Sequence, residues 1–411
     1  MSSVPRTPET LDADVLIIGG GLVSGTLACA LGGAGLDVVV VDRDDPGTAL
    51  DAAFDGRASA IARASQRLLL GVGLWTDLKA RATPILDIRV ADGSSPLSLH
   101  YDHRAVSDQP FGYMIENRDI RRALAERLAA LATVRYLAPA TVGDLDRSPV
   151  GAEARLADGR RVRAMLAVGA DGRGSATRTA ANIRVTRWSY DQTAIVCTVA
   201  HERPHGHVAI ERFLPAGPFA ILPLTGDRSS LVWTERVDLA PAIMALSEAD
   251  FAAELGVRFG DFLGRLNVVG PRWSYPLSAQ FAATVTARRL ALAGDAAQAI
   301  HPIAGQGLNL GIRDAAALAE VVVDARRLGL DVGSGTVLEG YRRWRRFDST
   351  LMIAVTDGLN RLFSNNVPAL RLARGLGLAA VERTPPLKKA LMRHAMGVLG
   401  ELPRLMRGEV L

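Results

Sequence analysis

Three glycine- and acid-rich runs hold the residues best able to do chemistry. The densest is Gly294-Asp295-Ala296-Ala297-Gln298-Ala299-Ile300-His301-Pro302-Ile303-Ala304-Gly305-Gln306-Gly307-Leu308-Asn309-Leu310-Gly311-Ile312-Arg313-Asp314, directly after the apolar residues Leu290–Ala293. A carboxylate at a strand end, Asp295, can bind polyol hydroxyls. A glycine-rich turn then opens a helix from about Leu308, whose free N–H groups can face a developing negative charge. The second run is Val15-Leu16-Ile17-Ile18-Gly19-Gly20-Gly21-Leu22-Val23-Ser24-Gly25, with Asp42 and Arg43 after the apolar Val38–Val41. A strand-to-helix turn of this kind needs glycine for tight geometry and close phosphate approach, and the diphosphate rests on the positive end of the helix. Asp42 is placed to accept from a ribose hydroxyl. Ser24 stands where the third glycine of the fingerprint falls, and is small enough to keep helix and strand close. The run reads as a dinucleotide turn, for FAD or NAD. The third run, Val168-Gly169-Ala170-Asp171-Gly172-Arg173-Gly174-Ser175-Ala176-Thr177-Arg178, puts Asp171 where it can cap the next turn near the diphosphate, with Ser175 and Arg178 fixing the loop.

These runs need elements to carry them. Residues 14–42 read as a βαβ unit, and 57–80 as helical, with Leu68, Leu69 and Val72 on one face and a stop at Gly71/Gly73. Residues 85–101 alternate like strands about an Asp92-Gly93 turn, and Arg118–Leu131 has helical spacing. Asp158-Gly159 marks a hairpin into Val162–Val168. Residues 184–236 are β-rich, 241–266 read as a helical insert, and the last 60 or so residues are helical. The sum is an α/β chain: a Rossmann-like dinucleotide domain with a parallel sheet (1–80, 102–180 and 281–345), an inserted mixed-sheet substrate domain (81–101 and 181–280) and a helical C-terminal segment (346–411).

Composition narrows the function classes. Hydrophobic residues are 48% and charged residues 22%, enough apolar material for a large core and against disorder over most of the chain. The net charge is +5, and residues 361–411, with nine Lys or Arg against three Asp or Glu, carry +6 while the other 360 residues sum to −1. No basic stripe interleaved with aromatics occurs, so nucleic acid is not an expected partner. Cys29 and Cys197 match no disulfide or metal spacing, and no metal site is expected. Residues 15–36 lack charge, but seven glycines from Gly19 to Gly35 and β-branched runs at both ends favour strand, turn and helix over a membrane span.

Together the three runs resemble those of FAD-dependent aromatic monooxygenases with the para-hydroxybenzoate hydroxylase-like fold. Within that group, His301-Pro302-Ile303-Ala304-Gly305-Gln306-Gly307-x-Asn309-x-Gly311-x-x-Asp314 is similar to the signature of the ubiquinone-biosynthesis hydroxylase family. Ser189-Tyr190-Asp191-Gln192, Glu211-Arg212-Phe213-Leu214-Pro215-x-Gly217-Pro218, Leu222-Pro223-Leu224 and Leu231-Val232-Trp233-Thr234 match further, and the likeness covers residues 12–408. The resemblance implies that Gly19, Gly21 and Ser24 bind the FAD diphosphate, and Asp42, with Arg43 beside it, the adenosine ribose. It also implies that Arg57 sits beside the flavin, Asn117 lies along the cofactor, Asp171 lies near the diphosphate and Asp295 holds the ribityl chain. Pro302, Gly305, Gly307, Leu308 and Asn309 would then wrap the ring. The family usually has His where Gln298 stands, which leaves a proton relay there in doubt.

The activity implied is hydroxylation of a polyprenylphenol in ubiquinone biosynthesis. Reduced FAD would activate O2, with NAD(P)H or a reduced electron carrier as donor. The protein would hold the phenol and exclude water. His301 is the catalytic candidate, either for proton management or as a structural tie before Pro302. Leu387, Leu391, Ala395, Val398 and Leu402 recur at helical spacing beside Lys388, Lys389, Arg393 and Arg404. That pattern suits peripheral contact through 387–404 with the inner face of the cell membrane, packing on the chain's own core, or other ubiquinone-biosynthesis proteins, in a cytoplasmic setting. A reductase or halogenase on the same fold, and a non-catalytic scaffold presenting lipid intermediates, remain the alternatives.

Overall fold

The computed structural model describes residues 9–51, 56–93, 98–364 and 368–411. The first unit is β1 (Thr10–Ile18), α1 (Leu22–Gly33) and β2 (Val38–Val41), with β1 and β2 parallel and Val15 opposite Val38. Every residue of β2 is buried, as expected for a parallel strand covered on both faces. The next stretch departs from the helix expected over 57–80. Ala58–Ala62 form strand β3, and helix begins only with α2 (Arg63–Gly71) and α3 (Trp75–Leu78). Alanine favours helix in isolation, but here pairing with β7 (Gly112–Glu116) overrides it. With β4 (Thr83–Ile85) these make a small sheet in the order β3-β7-β4.

After α4 (Asn117–Ala129), β8 (Val134–Leu137) adds in parallel to β2. An antiparallel run follows, β9 (Val142–Arg147), β10 (Ala152–Leu156) and β11 (Arg161–Gly169); β11 returns parallel to β1. The short α5 (Ala176–Ala180) leads to the second large sheet. That sheet is built from β12 (Val185–His201), β13 (Val208–Leu214), β14 (Gly217–Leu224), β15 (Arg228–Arg236) and β16 (Leu266–Ala282), joined by β5 (Asp87–Asp92) and β6 (Ser98–Asp102). Helices α6 (Ala240–Met244) and α7 (Glu248–Phe259) fill the expected insert, but β16 was not anticipated. The chain then returns through β17 (Thr286–Ala287), β18 (Leu290–Leu292) and β19 (Gln298–Ala299). The two sheets run β17-β18-β11-β1-β2-β8, with β9 and β10 off that path, and β19-β16-β12-β15-β14-β13-β5-β6.

The C-terminal part is α8 (Gln306–Arg327), α9 (Gly335–Phe363), α10 (Pro368–Glu382), α11 (Pro385–Ala395) and α12 (Arg404–Arg407). Helix α9 runs unbroken through residue 346, so the expected start of the C-terminal segment falls inside it. The apolar stripe expected over 387–402 is not one face of one helix. Helix α11 stops at Ala395, and Gly397 follows in the left-handed region at φ +71°. Val398 packs against the core and Leu402 is buried within it, whereas Leu387 and Leu391 point outward. None of the described helices is long and apolar enough to cross a membrane.

Candidate active site

The glycine turn after β1 is fixed by crowding. Gly19 has φ +106°, and a Cβ there would lie 2.5 Å from the Ala170 carbonyl oxygen. At Gly20 a Cβ would meet the Tyr136 hydroxyl at 2.0 Å and Asp42 Oδ2 at 2.2 Å. Ser24 is fully buried, and its hydroxyl donates to the Gly21 carbonyl at 2.9 Å. Beside the turn lies a cavity of about 850 Å³ that also takes in Asp42, Arg43, Arg121 and Asp171. Tyr136 Oη donates to Asp42 at 3.3 Å, and burial raises the Asp42 carboxyl above its ordinary value. A turn with no room for a side chain at Gly19 and Gly20, open to a cavity and with an acid beside it, fits the adenosine diphosphate half of FAD.

Asp171 sits at the head of α5. It accepts from the Ser175 hydroxyl at 2.5 Å, and from the Thr177 N–H at 3.0 Å and its hydroxyl at 2.9 Å. Arg178, almost fully buried, donates to the carbonyls of Ala296 and Arg173, both at 2.9 Å. That guanidinium ties the second loop to the third. Asp295 is half-exposed and pairs with Arg173 at 3.1 Å.

The third run turns at Pro302 and enters α8 through Gly305, left-handed at φ +62°. Its Cβ position is 3.0 Å from Ala60, so the turn lies directly on β3. Asn309 makes the tie: its Oδ1 accepts from Ala62 N–H at 2.8 Å, and its Nδ2 donates to Ala60 O at 2.7 Å. Gly307 is exposed with open space around it, and Leu308 is half-buried against the core. The start of a 22-residue helix is thereby presented beside β3. At the other end of β3, the Ser59 hydroxyl donates to Asn117 Oδ1 at 2.6 Å, and the Arg57 guanidinium lies 4.9 Å over the Tyr275 ring. The structure thus brings Gly19, Gly21, Asp42, Arg43 and Asp171 to one cavity, and Arg57, Asn117, Gly305 and Asn309 to the β3 side.

His301 has no exposed surface. Its Nδ1 accepts from Ile303 N–H at 3.3 Å, so the hydrogen sits on Nε2, 3.3 Å from Gln192 Oε1. Asn360 Nδ2 donates to the same oxygen at 3.1 Å. The ring thus links the turn to β12 and α9. Burial lowers the imidazole from 6.5 to about 4, with Asp357 opposing and Arg173 reinforcing. An unfolded chain therefore binds this proton below its ordinary value, while the folded chain does so only below about 4. The resulting stability is complete above the ordinary value and is lost as pH falls through this window. From about pH 7 to about pH 5 the wild type should lose about 2 kcal/mol more than His301→Gln. Urea unfolding of both proteins at the two pH values checks this; parallel losses would refute it.

Position 298 faces inward. Gln298 Nε2 donates to the two Asp314 oxygens at 3.2 and 3.4 Å. Asp314 also accepts from Gly294 N–H at 3.0 Å and pairs with Arg345 Nε at 2.6 Å, both side chains being 1% exposed. Tyr136 and Arg345 carry no mark in the sequence, and Gln192 is marked only as part of a motif. For Arg345 the available signal is Asp314, an acid inside a buried apolar helix face that requires a cation. Among the described residues no group of His, Cys, Asp and Glu could hold a metal.

The fold and site are those of an FAD-dependent aromatic monooxygenase. The FAD binding domain family matches residues 12–331. The structure of p-nitrophenol 4-monooxygenase PnpA from Pseudomonas putida superposes with a TM-score of 0.77, covering 96% of this chain and 99% of that one, and at 22% identity the likeness is one of fold. Ubiquinone hydroxylase UbiL of Rhodospirillum rubrum is 57% identical over 96% of this chain and 93% of its own. The 3-demethoxyubiquinol 3-hydroxylase of Escherichia coli is 35% identical over 94% and 98%. The chain belongs to the ubiquinone-biosynthesis hydroxylase family.

Proposed function

We propose that this enzyme hydroxylates the aromatic ring of a polyprenylphenol intermediate on the way to ubiquinone. The observation that carries the reading is the end-to-end likeness to a ubiquinone hydroxylase at 57% identity. The FAD would be held at its diphosphate by the amides of Gly19, Gly21 and the first turn of α1. Asp42 would take the ribose and Asp295 the ribityl hydroxyls. The stretch from Pro302 to Asn309 would lie against the ring, with the positive end of α8 behind it. Reduced FAD supplies the activation of O2 and the delivery of one oxygen atom to the substrate. The chain's own task is to orient the phenol and keep water out. NAD(P)H or a reduced carrier protein would provide the electrons, since the sequence carries one dinucleotide fingerprint. Purified enzyme given a short-chain prenylphenol, a reductant and isotopically labelled O2 should yield product carrying one labelled oxygen. Reduction of the substrate without label would make the protein a reductase, and tight binding without turnover a scaffold.

Peripheral membrane contact belongs to the same reading. Leu387 is 46% and Leu391 37% exposed on one side of α11, with Lys389 and Arg393 exposed nearby. Cutting the chain before α11 would remove Met392 and Met396 from the core, so point changes are the sounder probe. Leu387→Asp with Leu391→Asp should lower co-sedimentation with anionic phospholipid vesicles about tenfold and leave the Tm unchanged. Equal pelleting with the wild type would remove this contact from the proposal.

A further inference from the structure

Glu211 stands on β13, in the second large sheet. Along β13 side chains alternate, so Ala209, Glu211 and Phe213 share one face and Ile210, Arg212 and Leu214 the other. The second face is closed by α7. Ile210 and Leu214 pack with Phe251, Leu255 and Phe259, and Arg212 donates to the carbonyls of Arg258 and Phe259 at 3.0 and 3.1 Å. The first face looks toward β3, the turn before α8 and the C-terminal helices, where Phe213 stacks on Phe363 of α9 with ring centroids 4.1 Å apart. Ala209 and Phe213 pack in one cluster with Ile303, Ala58 and Ala60, which belong to the turn before α8 and to β3.

The sheet around Glu211 is lined by short side chains on this face. Across the strands it stands opposite Ala220 of β14 and Val90 of β5, and Ala220 in turn faces Val232 of β15. The two faces differ in cover. On β15 Leu231 and Trp233 are 0% and 1% exposed, whereas Val232 between them keeps accessible surface, as do Leu222 and Glu211. In the middle of an eight-stranded sheet, that pattern leaves Glu211 partly accessible beside small residues. Glu211 makes no hydrogen bond or ion pair among the described residues. Burial alone pushes its carboxyl up to about 7. Its carboxyl keeps some accessible surface, so the place of the missing donor is open to a ligand that carries one.

We propose that Glu211 accepts the hydrogen bond of the substrate's phenolic hydroxyl and takes its proton as oxygen is delivered to the ring. This rests on the phenol reading above and deepens it. The O–H bond breaks, its electron pair stays on the phenolic oxygen, and the ring becomes more electron-rich at the ortho and para carbons. The proton rests on Glu211. Once the new C–O bond has formed, the hydrogen on that carbon leaves as a proton, taken up by the oxygen atom that departs as water. Glu211 then returns its own proton to the phenolic oxygen. O2 and the reductant of the reaction supply the oxygen atom and the electrons, so the carboxylate ends as it began.

The test uses FAD-loaded, full-length enzyme, a short-chain prenylphenol and its methyl ether. Binding is followed by calorimetry, and kcat/KM across pH. The wild type should bind the phenol about tenfold more tightly than the ether, and its kcat/KM should rise with pH through a midpoint of about 7. E211L should erase the preference. E211Q keeps an acceptor oxygen, so it should retain the preference yet lose about a hundredfold in kcat together with the pH limb. Matching FAD content and Tm for E211Q and wild type guard against misfolding. Preference and pH limb both surviving in E211L would overturn the role of Glu211 alone. Wild-type enzyme that binds neither compound would overturn the phenol reading and this role with it.

Discussion

Asp314→Ala should destabilise the folded enzyme by about 3–5 kcal/mol and strip it of FAD. Asp314 and Arg345 are each 1% exposed, and the carboxylate is the common acceptor for Arg345, Gln298 and the Gly294 N–H. Burial pushes the Asp314 carboxyl upward against the pull of these donors. Removing the acid leaves a guanidinium in the core whose remaining partner is Asp348, at 2.8 Å. It also frees Gly294, which is left-handed at φ +61° and directly precedes Asp295, the residue assigned to the ribityl chain. Two losses of different kind therefore come from one atom group, and they can be separated. Asp314→Leu combined with Arg345→Met removes both charges and should recover much of the stability, because an uncompensated charge costs more than a missing pair. It restores no acceptor for Gly294, so FAD retention should stay low. Urea unfolding and FAD content per chain give the two readings. A double variant that regains FAD would show that Asp314 acts only through the ion pair.

How far these features could be read without coordinates depends on whether their cause is local. The βαβ unit was legible because glycines cluster between Gly19 and Gly35 and four consecutive valines follow, a pattern that admits few folds. Strand β16 was hidden by Gly270, Pro271 and Pro276, which read as breakers. In the sheet, Pro276 stands opposite Thr193, where the pairing with β12 shifts register, so its missing N–H falls where the ladder is already interrupted. Strand β3 is written Ala-Ser-Ala-Ile-Ala and becomes a strand through β7 and through Asn309, 247 residues beyond Ala62. No window of sequence contains that cause. The same holds for Arg345, one arginine among 48 basic residues, singled out only by the acid it meets. Glu211 lies inside a recognised motif, but the alternation that turns it toward β3 and the turn before α8 has meaning only once α7 is known to cover the opposite face.

Gly19→Ala is the change expected to act most directly on cofactor binding. The position carries two independent penalties. A residue with a Cβ at φ +106° pays about 1–3 kcal/mol in backbone strain, and the added carbon would lie 2.5 Å from the Ala170 carbonyl oxygen and 2.9 Å from the Asp171 Cα. Both neighbours are backbone, so no rotamer change relieves the contact. Either the end of β1 or the loop after β11 has to shift, and that loop carries Asp171 and, through Arg178, the carbonyl of Ala296. A displacement there would open the turn proposed to hold the diphosphate and loosen the link to the Asp295 strand end. FAD affinity should fall at least about a hundredfold, equivalent to about 2.7 kcal/mol. Gly33→Ala supplies the control, since it lies at the end of α1 with nothing within 4 Å of its Cβ position and ordinary helical geometry. That change should leave FAD binding untouched and add up to about 1 kcal/mol of stability. Fluorescence titration of apo-protein with FAD, beside thermal unfolding, measures both. If Gly19→Ala bound FAD within a few-fold of wild type, the turn would have slack that the packing denies it, and the diphosphate would have to be held elsewhere.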